Sequence, residues 1–138
     1  MLYIRNCALN FLARREHTKL ELQRKLIAKG FEVSEITNVI KELEKQGLQS
    51  DKRFTESYIS MRAKHGFGPI RIKAELGERG IDQELIDQFL FSSDQATIEK
   101  VRSKKFGKEI PTDLHDKTKQ MRYLYYKGFD ADLIRKVF

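Results

Sequence analysis

The chain repeats itself three times, and no other feature limits its fold as strongly. Residues 25–40 (KLIAKGFEVSEITNVI), 75–90 (ELGERGIDQELIDQFL) and 123–138 (YLYYKGFDADLIRKVF) superimpose without gaps, at offsets of 50 and then 48 residues. Leu26, Leu76 and Leu124 coincide, as do Gly30, Gly80 and Gly128, followed by apolar Phe31, Ile81 and Phe129. Ile36, Ile86 and Ile134 also share one position. Units of this size are too small to bury their own apolar faces, so neighbouring units are expected to stack.

The repeated pattern has a physical reading. A leucine four residues before a glycine, with an apolar residue just after it, fits a helix that ends on a left-handed glycine. The following apolar side chain then folds back on the last turn. Asp82 and Asp130 stand where a helix N-cap is wanted, and Ser34 is expected to serve in the first copy. Ile36, Val39, Ile40 and Leu43 then recur at helical spacing. Thr18-Lys19-Leu20-Glu21 matches a capping box that opens a helix with Leu22 and Leu26 inward.

Further helices precede these pairs. Residues 6–13 are helix-compatible. Asp51 is expected to cap a helix carrying Phe54, Tyr58, Ile59 and Met61. Gly66-Phe67-Gly68-Pro69 breaks that helix, and Pro69 suits the first position of the next. Ser93 or Asp94 caps a helix with Ile98 and Val101 that ends at Phe106-Gly107, and Thr112 or Asp113 caps another. No segment alternates with period two. The expectation is an all-α chain of three tandem three-helix repeats, at 1–48, 49–91 and 92–138, in an elongated array. Gly30, Gly80 and Gly128 are its structural glycines.

Composition excludes several classes. The 138 residues have a mean hydropathy of −0.57, and their longest apolar stretches are only a few residues, which argues against a membrane span. No charged segment followed by an apolar one opens the chain, so export is not expected. Cys7 is the single cysteine, which leaves no internal disulfide and suits a reducing cytoplasm. Twenty-seven Lys and Arg against 20 Asp and Glu give +7, favouring a nucleic acid or an acidic protein surface as partner. The surplus is uneven: residues 1–50 carry +3, residues 51–91 carry 0 and residues 92–138 carry +4.

Catalytic and metal readings find little support. His17, His65 and His115 occur once per repeat. No cysteine, second histidine or carboxylate accompanies them at a ligand spacing, so positions at the break before each middle helix are the better reading. Cys7 lies in an apolar stripe without a base and reads as a small core residue. The glycines follow no strand and form no nucleotide motif, so no cofactor is expected. The basic residues are more informative. Lys100, Arg102, Lys104, Lys105 and Lys108 crowd nine residues around Phe106. Arg14, Arg15 and Lys25 accompany the first capped helix, and Arg62, Lys64, Arg71 and Lys73 surround the 66–69 break. Such surfaces could pair with phosphates or acidic side chains, or serve only as solvated faces. Of the third helices, residues 37–45 are mixed in charge, residues 83–91 are acidic and only Arg135 and Lys136 decorate the last, which disfavours sequence-specific groove reading.

Three stretches carry a family resemblance. Leu12-Ala13-Arg14-Arg15-Glu16-His17-Thr18, with Glu21-Leu22 and Lys25-Leu26, resembles the opening signature of the RecX family. Asp51-Lys52-Arg53-Phe54, Tyr58-Ile59, Arg62 and Gly66-Phe67-Gly68-Pro69-Ile70-Arg71-Ile72 resemble its central block, as do Glu75-Leu76 and Gly80-Ile81. The ending, Gly128-Phe129 through Ile134-Arg135, resembles its last repeat. His17 stands where the family often has an aromatic, and Thr18 where it often has serine. The repeat pattern and the lack of any catalytic motif lead us to expect a monomer that is not an enzyme, and the resemblance implies an all-helical regulator of the bacterial RecA recombinase. Members bind the RecA–DNA filament and limit its growth, ATP hydrolysis, strand exchange and the co-protease function behind the SOS response. Some also bind single- or double-stranded DNA. A stand-alone nucleic-acid binder remains the alternative.

Overall fold

A computed structural model describes residues 2–138, with side chains from Tyr3 onward. Nine helices and no strand occur among the described residues. They are α1 (Leu2–Arg14), α2 (Lys19–Ala28), α3 (Val33–Lys45), α4 (Asp51–Lys64) and α5 (Pro69–Glu78), followed by α6 (Gln83–Phe89), α7 (Gln95–Phe106), α8 (Leu114–Lys127) and α9 (Ala131–Arg135).

The repeated Leu–Gly–apolar pattern has a direct structural cause. In each copy the residue after the glycine donates its N–H to the carbonyl of the leucine, and the glycine donates to the next carbonyl along. The pairs are Phe31 to Leu26 (3.3 Å) and Gly30 to Ile27 (2.9 Å) in the first copy. Ile81 to Leu76 (3.1 Å) with Gly80 to Gly77 (3.0 Å), then Phe129 to Leu124 (3.2 Å) with Gly128 to Tyr125 (3.1 Å), repeat the arrangement. This double bond satisfies the last carbonyls of the helix and needs a left-handed residue at the glycine. The φ angles there are +92°, +81° and +104°. Leu26, Leu76 and Leu124 are fully buried. Burying a leucine is worth about 1.5–3 kcal/mol, which is why this position is always apolar.

Several helix starts follow the sequence, and two do not. Thr18 forms the complete capping box: its hydroxyl accepts from Glu21 N–H at 3.0 Å, and its own N–H donates to Glu21 Oε1 at 3.1 Å. Asp94, Asp113 and Asp130 cap α7, α8 and α9 through their carboxylates. Ser34, however, lies inside α3. Glu32 is the N-cap there and makes no side-chain capping bond. Asp51 is the first residue of α4 and not its cap. Ser50 Oγ accepts from Arg53 N–H at 3.1 Å, while Asp51 Oδ1 accepts from Lys19 N–H and from Gln49 Nε2, both at 2.9 Å. A local propensity for capping was overridden in both cases by where the chain enters the helix.

The chain divides into two compact units, and the division cuts through α4, α5 and α6. One unit comprises the chain through Tyr58 with Leu76–Ile86; the other comprises Ile59–Glu75 with Asp87–Phe138. In the first, Ile4 and Ala8 of α1, Leu22 and Leu26 of α2, and Ile36, Val39, Ile40 and Leu43 of α3 form the core. Thr18 Oγ1 donates to the carbonyl of Arg79 at 2.8 Å, and the Arg79 guanidinium lies 4.8 Å from the Tyr58 ring centroid. Cys7 packs against this core. In the second, Ile98, Leu124, Phe129, Ile134 and Val137 gather from α7, α8 and the chain end. No helix is long and apolar enough to cross a membrane among the described residues.

Candidate polyanion-binding surface

The candidate cations of the first unit differ in availability. Arg14 is exposed. Arg15 is tied to Glu21 at 3.1 Å. Lys25 is turned inward: its Nζ donates to His17 Nε2 at 2.8 Å and lies 5.1 Å from the Phe11 ring centroid. The His17 Nδ1 proton is then directed at the Arg15 carbonyl, 3.0 Å away. His17 is buried, and that burial holds its pKa below the ordinary 6.5, with the carbonyl bond opposing. His65 follows α4, and His115 sits in the first turn of α8 and not before it. Among the described residues no three His, Cys, Asp or Glu side chains gather as a metal site.

In the second unit the Gly66–Ile72 block is built around Phe67. The Arg62 guanidinium lies 3.7 Å from the Phe67 ring centroid, Arg71 lies at 4.6 Å and Lys127 Nζ at 3.6 Å. Glu75 holds Arg62 through two bonds of 2.9 and 2.7 Å and also takes Arg71 at 3.3 Å. The loop is fixed by backbone bonds from Gly68 N–H to Lys127 O (2.7 Å) and from Ile70 N–H to Gly128 O (3.0 Å). A Cβ on Gly68 would lie 2.5 Å from the Gly128 oxygen, so only glycine allows this approach. Lys127 also donates to the His65 carbonyl at 3.2 Å. Burial, and then the charges of Arg71 and Arg62, hold its pKa below the usual lysine value.

Lys127 connects this cluster to a recess of about 550 Å³. The same recess is lined by Lys64, His65 and Gly66 from the end of α4, Lys100, Val101, Lys104 and Lys105 from α7, and Tyr123 from α8. No carboxylate lines it. Lys100 and Lys104 stand one helical turn apart. The structure thus brings together Lys64, Lys100, Lys104 and Lys105, which the sequence placed in two separate clusters. It leaves Lys108 outside that lining, and Lys73 pairs with Asp87 at 3.8 Å.

Arg102 requires a correction as a contact residue. It is fully buried, and its guanidinium is committed to Glu99 at 2.7 and 2.9 Å, to Gln120 Oε1 at 3.1 Å, and to the carbonyls of Lys108 (3.1 Å) and Glu109 (3.2 Å). It fixes the turn after α7 and reaches no partner. Its place one turn after Ile98, on the apolar side of α7, is the signal that separates it from its lysine neighbours. Lys127 was missed by sequence reasoning. Its signal is the basic residue preceding each repeat glycine, Lys29, Arg79 and Lys127.

Comparison with known proteins gives a uniform result. Family models for the RecX first, second and third three-helix domains match residues 5–43, 50–90 and 93–138. The chain is 39% identical over 137 residues to the regulatory protein RecX of Pseudomonas fluorescens (strain SBW25), covering 97% of this chain and 88% of that one. It is 40% identical over 134 residues to the regulatory protein RecX of Legionella pneumophila (strain Corby), covering 95% and 89%. Its fold is similar to the crystal structure of RecX from Lactobacillus salivarius, with a TM-score of 0.80 and 24% identity over 98% of this chain and 92% of that one.

Proposed function

Because this chain belongs to the RecX family, we propose that it regulates the RecA recombinase by binding the RecA–DNA filament and limiting its growth. ATP hydrolysis, strand exchange and the SOS co-protease activity would fall together as the filament shortens. The reading makes the protein a monomeric, non-enzymatic, cytoplasmic regulator without cofactors. The observation that carries it is the span of the family match, which runs through all three repeats from residue 5 to residue 138.

The exposed cations suit this role. Lys64, Lys100, Lys104 and Lys105 are exposed and free to meet phosphates or carboxylates. A polymer presents the same surface at every protomer, so several weak salt-dependent contacts on one binder combine through effective concentration.

The test titrates the protein into preformed recombinase filaments at near-physiological salt and follows ATP hydrolysis, with binding to naked DNA measured in parallel. Inhibition is expected at concentrations where naked DNA is scarcely bound. If inhibition instead tracks occupancy of naked DNA and disappears with excess free DNA, the filament reading fails. The lysine recess would then favour a stand-alone nucleic-acid binder.

A further inference from the structure

We propose that copies of this chain join head to tail, the Lys29–Phe31 turn of one copy docking into a recess at the start of α8 of the next. The same joint already occurs twice within one chain. The repeat offsets of 50 and 48 residues place Thr18, Gly68 and Asp116 at one position, and Lys29, Arg79 and Lys127 at another. Thr18 Oγ1 donates to the carbonyl of Arg79 at 2.8 Å, and Gly68 N–H donates to the carbonyl of Lys127 at 2.7 Å. The glycine that follows is crowded in both joints. A Cβ on Gly80 would lie 2.7 Å from Leu20 Cβ, and one on Gly128 would lie 2.7 Å from Arg71 N. Each of these glycine turns thus seats on the start of the second helix of the preceding repeat.

Two positions in the series remain open. Among the described residues, nothing beyond its chain neighbours lies within 4 Å of a Cβ built on Gly30. The apolar residue after the glycine is buried at Ile81 and Phe129 but only half-buried at Phe31. The receiving positions show the converse. Residues 16–18 and 66–68 are buried or half-buried, whereas Leu114, His115 and Asp116 are exposed, Leu114 at 78%. A recess of about 660 Å³ lies there, lined by Leu114, His115, Thr118, Lys119 and Arg122. Their counterparts one repeat earlier are Gly66, Phe67, Ile70, Arg71 and Ala74, the stretch that receives the turn at Gly128.

The occupant that fits is a second copy. Lys29-Gly30-Phe31 has the same three residues as the docked turn Lys127-Gly128-Phe129, and its φ of +92° places it in the same left-handed region as the +104° found there. The charges match as well. Exposed Glu32 and Glu35 follow the turn, and the recess carries Lys119 and Arg122 with no carboxylate in its lining. End repeats that stay single present polar outer faces, whereas Val33 beside the turn and Leu114 in the recess are exposed. Turn and recess are different surfaces, so the interface does not close by pairing two identical faces, and further copies can add. One turn in a recess is a small contact, so the dilute chain is a monomer. Copies held side by side along one polymer meet at high effective concentration, and their binding becomes cooperative. Only this last consequence rests on the filament reading.

The experiment uses the full chain with a thiol reductant and neither recombinase nor nucleic acid. Sedimentation velocity from micromolar to millimolar protein reads the mass, and ¹⁵N amide spectra of the unmodified chain are followed on dilution. Glu32→Gln with Glu35→Gln alters the turn, Lys119→Gln with Arg122→Gln alters the recess, and Lys41→Gln with Lys45→Gln on exposed α3 is the control. The mass of the parent is expected to rise past two chains, with dilution shifts at residues 28–35 and 113–122. Turn and recess variants should each associate about tenfold or more weakly, and the control less than about twofold. Mixed together, the two variants should recover association but stop at two chains, because the mixture holds one intact turn and one intact recess. A parent that stays at one chain, a mass that levels off at two, a mixture that remains monomeric, equal loss in the control, or dilution shifts lying elsewhere each overturns the proposal. None of these outcomes reads filament inhibition, so failure here leaves the family reading standing.

Discussion

Alanine at Gly77, Gly30 and Gly80 separates three effects that act on one repeated motif. Gly77 lies inside α5 with nothing within 4 Å of a built Cβ. Gly77→Ala therefore removes a helix-interior glycine and should stabilise by about 1 kcal/mol. Gly30 has a φ of +92° and also faces open space, so Gly30→Ala should lose only the left-handed backbone preference, about 1–2 kcal/mol. Gly80 has a φ of +81° and adds a collision: its Cβ would lie 2.7 Å from both Cβ and Cδ2 of Leu20. A rotamer change cannot clear Leu20 Cβ, so either α2 or the turn must move. Overpacking of this kind costs about 1–3 kcal/mol. Gly80→Ala should then destabilise by about 2–5 kcal/mol in total, a large part of a small domain's stability. Urea unfolding followed by far-ultraviolet circular dichroism measures all three. If Gly80→Ala falls within about 0.5 kcal/mol of Gly30→Ala, the Leu20 contact does not limit the turn. If Gly77→Ala destabilises as much as the others, the helix end is misplaced.

Arg102→Met should cost about 3 kcal/mol, because Gln120 Oε1 and the carbonyls of Lys108 and Glu109 lose their donor. Arg102→Lys should recover little, since an ammonium cannot span all these acceptors; a melt as stable as the parent would contradict the role. The Arg102 bond holds the Glu99 carboxyl below its ordinary 4.5, so the contribution of this pair is complete above that pH and lost as pH falls through the folded value. Acid melts of Arg102→Met should show a shallower decline. His17 behaves similarly at higher pH. Its folded pKa lies below 6.5, so stability is complete above about 6.5 and declines as pH falls from there towards the folded value. His17→Gln should flatten that part of the profile, and an unchanged slope would show that another group titrates. Lys104→Glu with Lys105→Glu should weaken filament inhibition and reduce its salt dependence, read from ATP hydrolysis at two salt concentrations.

How much was legible can be followed residue by residue. The helix ends were, because Leu–x–x–x–Gly–apolar states a bonding pattern whose donors and acceptors lie within six residues. The Thr18 capping box and Pro69 at the start of α5 were legible for the same reason. Asp51 was misread because its carboxylate accepts from Lys19, 32 residues away, a partner no local rule supplies. Arg102 was misread because composition grouped it with its lysine neighbours, although its register on α7 points it inward.

The sequence by itself determined the helical periodicity, the three repeats, the glycine turns and the basic balance, since each depends on interactions along a few residues of chain. Only the tertiary structure decided which cations remain available and which are consumed. Phe67 meets Lys127, 60 residues away, and Lys64 shares a recess with Lys104, 40 residues away. The middle repeat is likewise divided between two compact units, although its own sequence reads as one. Burial and ion pairing are set by packing between distant segments, and identical lysine and arginine letters therefore become core, clamp or open surface.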